Sequence, residues 1–198
     1  MKAALDRRFG TWRGLVRLLL AQLALATGRL DAFKLKRPET VQRLVFVCLG
    51  NICRSAYAEQ IAAEQGLACA SLGLSTTTGV GSPDSAVDGA RRAGVAMDAH
   101  RATDWSDFTV RPGDLFLVME VQQAHEMRRR LGPRTDVGVA LLGLWCTPAM
   151  PHLHDPFTLS PGYFDTCFVR VRQAVTALGK ALPQLRRAAP GPIDEDAA

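Results

Sequence analysis

The chain has 198 residues, 47% hydrophobic and 22% charged, which is the balance of an ordinary globular protein and leaves no apolar run long enough to span a bilayer. One domain with a real core is expected, with added segments at its ends. The net charge of +5 is moderate and uneven, so anionic partners are favoured but no nucleic acid is expected. Five cysteines form no repeating disulfide framework, and Cys48 and Cys53 fall within one short loop. That usage suits a reducing compartment and a cytoplasmic location.

Residues 1–40 precede the first strand and read as a helical extension with a linker. Trp12, Leu15, Val16, Leu19, Leu23, Ala26 and Leu30 recur at spacings of three and four, the pattern of an amphipathic helix, and Arg7, Arg8, Arg13 and Arg17 decorate its start. Three readings stay open. The helix covers an apolar patch of the domain; or it lies on an anionic membrane surface, giving peripheral contact through residues 1–38; or it is a secretory signal, against which Arg17 and Gln22 interrupt the apolar stretch. Lys34 to Pro38 reads as a linker ending the helix.

A domain is expected over residues 41–186. Leu44 to Val47 is a buried strand and Ser55 to Gln65 a helix stopped by Gly66. Leu67 to Leu72 reads as a second strand, and Gly73 to Asp84 as a flexible stretch. A helix over Ser85 to Arg92 follows, then a strand over Asp114 to Met119 and a helix over Val121 to Leu131. A fourth strand lies within Val137 to Leu144. A long loop, Trp145 to Ser160, holds three prolines and two histidines and leads to a final helix over Pro161 to Leu182. Residues 187–198 read as a disordered tail. Strands alternating with helices predict an α/β fold: a four-stranded parallel sheet with helices on both faces, and a phosphate loop between the first strand and its helix. Ligands then bind at the carboxyl ends of the strands.

The loop Cys48 to Ser55 lies at such an end. Free N–H groups and the positive end of a helix dipole converge there, which suits an oxyanion and pushes a thiol toward thiolate. Five residues separate Cys48 from Arg54, a spacing that lets one loop wrap a tetrahedral anion. The guanidinium of Arg54 offers a fork for two phosphate oxygens. Gly50 permits close approach, Asn51 tolerates a left-handed backbone, and the Ser55 hydroxyl can donate to the thiolate. Leu49, Gly50, Asn51, Ile52, Cys53, Arg54 and Ser55 form the expected phosphate-binding run.

Val47-Cys48-Leu49-Gly50-Asn51-Ile52-Cys53-Arg54-Ser55 resembles the signature of the low-molecular-weight protein tyrosine phosphatases. The resemblance extends over roughly residues 43–182. It includes a Ser71 to Gly73 turn, Gly81-Ser82-Pro83-Asp84, His100-Arg101, Leu117-Val118-Met119 and Asp155-Pro156-Phe157. It implies that Cys48 attacks phosphorus, that Arg54 and the loop amides hold the equatorial oxygens, and that Asp155 is the general acid. It also implies that Asn51, Ser55 and His100 belong to a network holding the loop. Phosphotyrosine in a protein is the implied substrate, with no cofactor or metal. The implied partner in bacterial relatives is a tyrosine kinase controlling surface polysaccharide export.

Plainer readings stand beside these. Asp155 before Pro156 could simply start a turn. Cys53 is either a packing residue or a trap for oxidised Cys48. Cys146, His152 and His154 match no standard metal spacing, so no metal site is expected. The chain also departs from the family pattern. Ala56 stands where proline is usual after the motif serine, and Leu74 to Val80 has no aromatic residue. Phe157 replaces a frequent tyrosine, which leaves Leu49 and Phe157 as the expected substrate walls. Three other functions are weighed. A thiol-dependent arsenate reductase is disfavoured because residues 114–131 lack cysteine. A protein arginine phosphatase is disfavoured by Ile52, where threonine is expected. A membrane-recruited, non-catalytic phosphate-binding adaptor would have no need of Asp155.

Overall fold

The computed structural model describes residues 2–186, so the expected tail over 187–198 lies outside the described residues. Four strands, β1 (Arg43–Cys48), β2 (Cys69–Gly73), β3 (Asp114–Val118) and β4 (Gly138–Leu141), form one parallel sheet in the order β2-β1-β3-β4. Every strand pairing is parallel, with Val47 beside both Leu72 and Val118. The α/β architecture is therefore the one expected.

Six helices accompany the sheet among the described residues: α1 (Lys2–Phe9), α2 (Trp12–Ala26), α3 (Arg54–Glu64), α4 (Asp84–Arg92), α5 (Val121–Leu131) and α6 (Pro161–Ala181). Side chains alternate along β1, so the sheet has two cores. Leu44, Phe46 and Cys48 join Leu115, Leu117, α3, α4 and α6 on one face. Val45 and Val47 join Phe116, Val118 and α5 on the other.

Several element bounds differ from expectation. Ser71 to Gly73 is the end of β2 rather than a turn, because its backbone pairs with Phe46 to Cys48. β4 stops at Leu141, where the chain tightens into a 3₁₀ turn over Leu142–Trp145. The stretch after β2 is tied down: Gly79 N–H donates to Ala102 O at 2.8 Å and Thr76 N–H to Asp104 Oδ2 at 3.1 Å.

The largest difference is in the extension. It is two helices, broken at Gly10, which has φ +78°, and restarted at Thr11, whose hydroxyl caps α2 by accepting from Gly14 N–H at 3.0 Å. A Cβ on Gly14 would overlap Phe9 O and lie 2.8 Å from the His154 ring, so only glycine permits this approach. The face of α2 that docks is Gly14, Leu18 and Ala21, all buried. The larger apolar face, Trp12, Val16, Leu19 and Leu23, points outward, so it is not the face that covers the domain. Small residues let the opposite face come close enough to exclude water. After α2, Leu30 and Phe33 bury themselves in the second core beside Val45, Phe116 and Met127.

Leu30 and Phe33 are thus built into the core, and Phe33→Ala should cost about 3–5 kcal/mol of unfolding free energy in a urea titration of the full chain. A loss under about 1 kcal/mol would mean that this segment contributes nothing to the cooperative unit.

Candidate active site

The centre of the site is made where β1 ends. Residues 49–53 turn from the strand into α3, and Asn51 makes the turn with φ 52°, a left-handed conformation that asparagine adopts more readily than most residues. Three side-chain hydrogen bonds fix it there. Asn51 Nδ2 donates to Ser55 Oγ at 2.9 Å and to Ser71 Oγ at 2.7 Å, and Oδ1 accepts from Thr103 N–H at 2.9 Å. Ser71 passes its own proton to Glu59 Oε2 at 2.6 Å.

His100 lies 2.8 Å by its Nε2 from the Asn51 carbonyl. A carbonyl can only accept, so Nε2 carries the proton and Nδ1 faces Glu59 Oε2 at 3.7 Å. Ser55 accepts from Asn51, which leaves its one proton for Cys48 Sγ, 3.0 Å away. The expected network of Asn51, Ser55 and His100 is therefore brought together, with Ser71 and Glu59 added to it.

Arg54 is fully buried at the first position of α3. Its Nη1 donates to Glu120 Oε1 at 2.6 Å and to the Leu153 carbonyl at 2.8 Å. Its Nη2 lies 2.6 Å from Asp155 Oδ2, a charge contact away from hydrogen-bond alignment. Burial works against the guanidinium charge, but Asp155, Cys48 and Glu120 outweigh it and hold the proton more tightly than usual. Glu120 shows the reciprocal effect: burial pushes its carboxyl up, and Arg54 overrides this to hold it below the ordinary range. The Nε–Nη2 edge of Arg54 has no hydrogen-bond partner in the protein. A buried, paired edge of donors is the shape that binds two oxygens of one oxyanion. It opens beside residues 49–54, whose N–H groups precede the first turn of α3.

Asp155 belongs to the loop before α6. That loop is held by Leu153 N–H to Met119 O at 2.9 Å and by Tyr163 Oη to His154 O at 3.2 Å. Asp155 is the partly exposed member of the cluster, its side chain 37% accessible, and its Oδ1 accepts from Phe157 N–H at 3.2 Å. Leu49 and Phe157, the expected walls, are exposed. Cys53 is buried at the start of α3; burial first, then Cys48, pushes its thiol up, so it stays protonated. His152 is pushed down to about 4 by burial and His154 is lowered for the same reason, so both are neutral near pH 7. Among the described residues, no group of three or more His, Cys, Asp or Glu comes together to hold a metal ion.

Sequence reasoning missed Glu120. It stands just past the carboxyl end of β3, and no local signal marks it as a counterion. The same reasoning read the extension as a helix but did not foresee that it reaches this loop. The His154 ring lies 3.1 Å by its Nε2 from Thr11 Oγ1, Gln22 Nε2 donates to Ala149 O at 2.6 Å, and Arg17 stands 4.0 Å from Glu120.

Two substitutions check these constraints. Asn51→Ala loses three hydrogen bonds and strains the left-handed backbone, so it should lower stability by about 3 kcal/mol, and Asn51→Gly by about 1 kcal/mol less. Equal losses would show that backbone conformation is not the constraint. Glu120 has a lowered folded pKa, so what it adds to stability is present above the usual glutamate pKa of about 4.3 and lost as pH falls through its own lower value. The stability gap between the natural chain and Glu120→Gln should be full at pH 7 and close below about pH 4. A gap independent of pH would contradict the ion pair.

The model of a family described as low molecular weight phosphotyrosine protein phosphatase matches residues 43–188. Over 97 residues, 48% of this chain and 67% of the relative, the chain is 31% identical to EpsP of Ralstonia nicotianae, a probable low molecular weight protein-tyrosine-phosphatase. The crystal structure of the Erwinia amylovora tyrosine phosphatase AmsI superposes with a TM-score of 0.61 at 29% identity, over 72% of this chain and 93% of that one. The Geobacillus stearothermophilus arginine phosphatase YwlE reaches 0.60 over 72% of this chain and 94% of that one, but at 18% identity, a likeness of fold alone. The matched residues contain the whole of the loop, its network and Asp155, and the chain belongs to the low molecular weight protein-tyrosine-phosphatase family of hydrolases.

Proposed function

We propose that the chain is a cysteine-dependent phosphatase that hydrolyses phosphotyrosine in proteins through a phosphocysteine intermediate. The observation that carries this reading is the unpaired Nε–Nη2 edge of the buried Arg54, held beside Cys48 and Asp155. A phosphate ester in the loop places two equatorial oxygens on that edge and the rest on loop N–H groups. The Cys48 thiolate attacks phosphorus; an S–P bond forms and the bond to the aryl oxygen breaks. The Ser55 hydroxyl, 3.0 Å from Sγ, stabilises the thiolate on attack and again when it leaves.

The dianion competes with Asp155 for Nη2. Released from the guanidinium, the carboxylate takes a proton from solvent, turns to the leaving oxygen and gives it that proton. In the second half, water attacks phosphorus, Asp155 takes the water's proton, and the S–P bond breaks to return the thiolate. An aryl oxygen, with a pKa of about 10 when free, leaves more readily than an alkyl one, which favours phosphotyrosine. Ile52, half-buried in the loop, supports tyrosine over arginine as the phosphorylated residue. In this reading a tyrosine kinase that carries its own phosphotyrosine is a natural protein substrate.

A panel of phosphotyrosine peptide, phosphoarginine peptide and arsenate, run with a chelator present, tests the substrate class; turnover of phosphotyrosine alone is expected. Cys48→Ser should reduce aryl-phosphate hydrolysis to background, and persistent turnover removes Cys48 as the nucleophile. Asp155→Ala should cost about 10²–10³-fold for phenyl phosphate and much less for a nitrophenyl ester. A loss independent of the leaving group would mean that Asp155 is not the acid.

A further inference from the structure

We propose that the outward face of α2 is a docking surface for an anionic lipid bilayer. Trp12, Val16, Leu19, Leu20 and Leu23 are 42–62% exposed. At about 100° per residue, Trp12, Val16, Leu19 and Leu23 fall within about 60° of arc, with Leu20 at their flank. Single exposed apolar residues need no explanation, but five along one helix make a contiguous patch. The helix is already docked on its other side through Gly14, Leu18 and Ala21, so packing within the chain does not account for the stripe.

Charge chooses the occupant. Arg8, Arg13 and Arg17 are exposed, Arg13 flanks the stripe next to Leu20, α2 contains no acidic residue, and Asp6 is the one acid in α1. The Arg13 guanidinium lies 5.5 Å from the Trp12 ring centroid, and Arg8 lies 5.4 Å from Phe9. Indole and guanidinium side by side suit the boundary between acyl chains and anionic headgroups. A second copy of the chain fits less well, since its own Arg13 would line the same seam with no carboxylate on α2 to meet it. The helix has 15 residues, about 22 Å at 1.5 Å each, against a hydrocarbon core of about 30 Å. No helix among the described residues is long and apolar enough to cross a membrane. The segment therefore lies in the plane of the interface.

Its inner side grips the loop that carries Asp155, through Thr11 to His154 and Gln22 to Ala149. Docking would hold the catalytic loop close to the lipid surface and favour phosphoproteins anchored there. The lipid contact itself does not depend on the phosphatase reading.

Co-sedimentation of the full chain with phosphatidylcholine vesicles, with and without phosphatidylglycerol, tests the proposal. Partition about tenfold or more stronger with phosphatidylglycerol is expected, and falling with added salt. Leu19→Glu/Leu23→Glu should lose at least about tenfold of that partition while hydrolysing a soluble aryl phosphate at the unaltered rate. Arg8→Gln/Arg13→Gln, whose side chains are both exposed, should weaken binding to the anionic vesicles several-fold. Equal pelleting of the natural chain and Leu19→Glu/Leu23→Glu would overturn the proposal, as would binding indifferent to phosphatidylglycerol. An oligomer that Leu19→Glu/Leu23→Glu dissociates, in a chain that does not pellet with either vesicle, would assign the stripe to contact between copies instead.

Discussion

A fully buried guanidinium is the constraint on which the arrangement depends. Taking a charge out of water costs several kcal/mol unless partners meet it with good geometry. Arg54 is met from three directions: Glu120 at the end of β3, the Leu153 carbonyl, and Asp155 two residues further on. None of these is near Arg54 in sequence. The parallel sheet brings β1 and β3 side by side, so their carboxyl ends open on the same edge, and the loop after β4 crosses back over it. The fold is thus the means by which one charge finds its counterions.

The loop backbone is held by a separate, mostly neutral set of bonds. Asn51 in its left-handed conformation connects Ser55, Ser71 and the Thr103 amide, and His100 closes the ring from behind. The two sets divide the work. Neutral bonds fix where the N–H groups point, and the ion pairs fix where the guanidinium stands. Cys48 lies where they meet, joined to the first set through Ser55 and electrostatically to the second through Arg54.

The sheet, the loop and the separation of Cys48 from Asp155 were legible because each has a local signature. Buried strands read as apolar runs, and the loop concentrates glycine, asparagine and arginine in eight positions between a strand and a helix. Glu120 was not legible as a counterion, since nothing local distinguishes it from a solvated carboxylate after a strand. Which face of α2 docks was not legible for a different reason. Periodicity locates the larger apolar side chains, but a helix docks where it can approach closely. Gly14 and Ala21 add little to the apolar pattern and yet define the buried face. Amphipathic pattern and packing face coincide only when a helix has one apolar side, and this one has two.

That double-sidedness bears on how an anion is received. Around Arg54 the charged side chains nearly balance, with Arg54 and Arg17 against Glu120 and Asp155, while burial keeps His152 and His154 neutral. In the proposed reading an incoming phosphate meets no excess of positive charge, since the Cys48 thiolate adds to the two carboxylates. In that reading its attraction comes from oriented groups: the Nε–Nη2 edge of Arg54, which makes no hydrogen bond within the protein, the N–H groups before α3 and the dipole of that helix. Oriented donors discriminate by shape, holding a tetrahedral dianion better than a spherical one of equal charge. Arg17 belongs to α2, so the extension places a cation 4.0 Å from the carboxylate that Arg54 holds. In this sense α2 borders the site, and whatever covers its outer face acts on a helix whose inner face already touches the loop that carries Asp155.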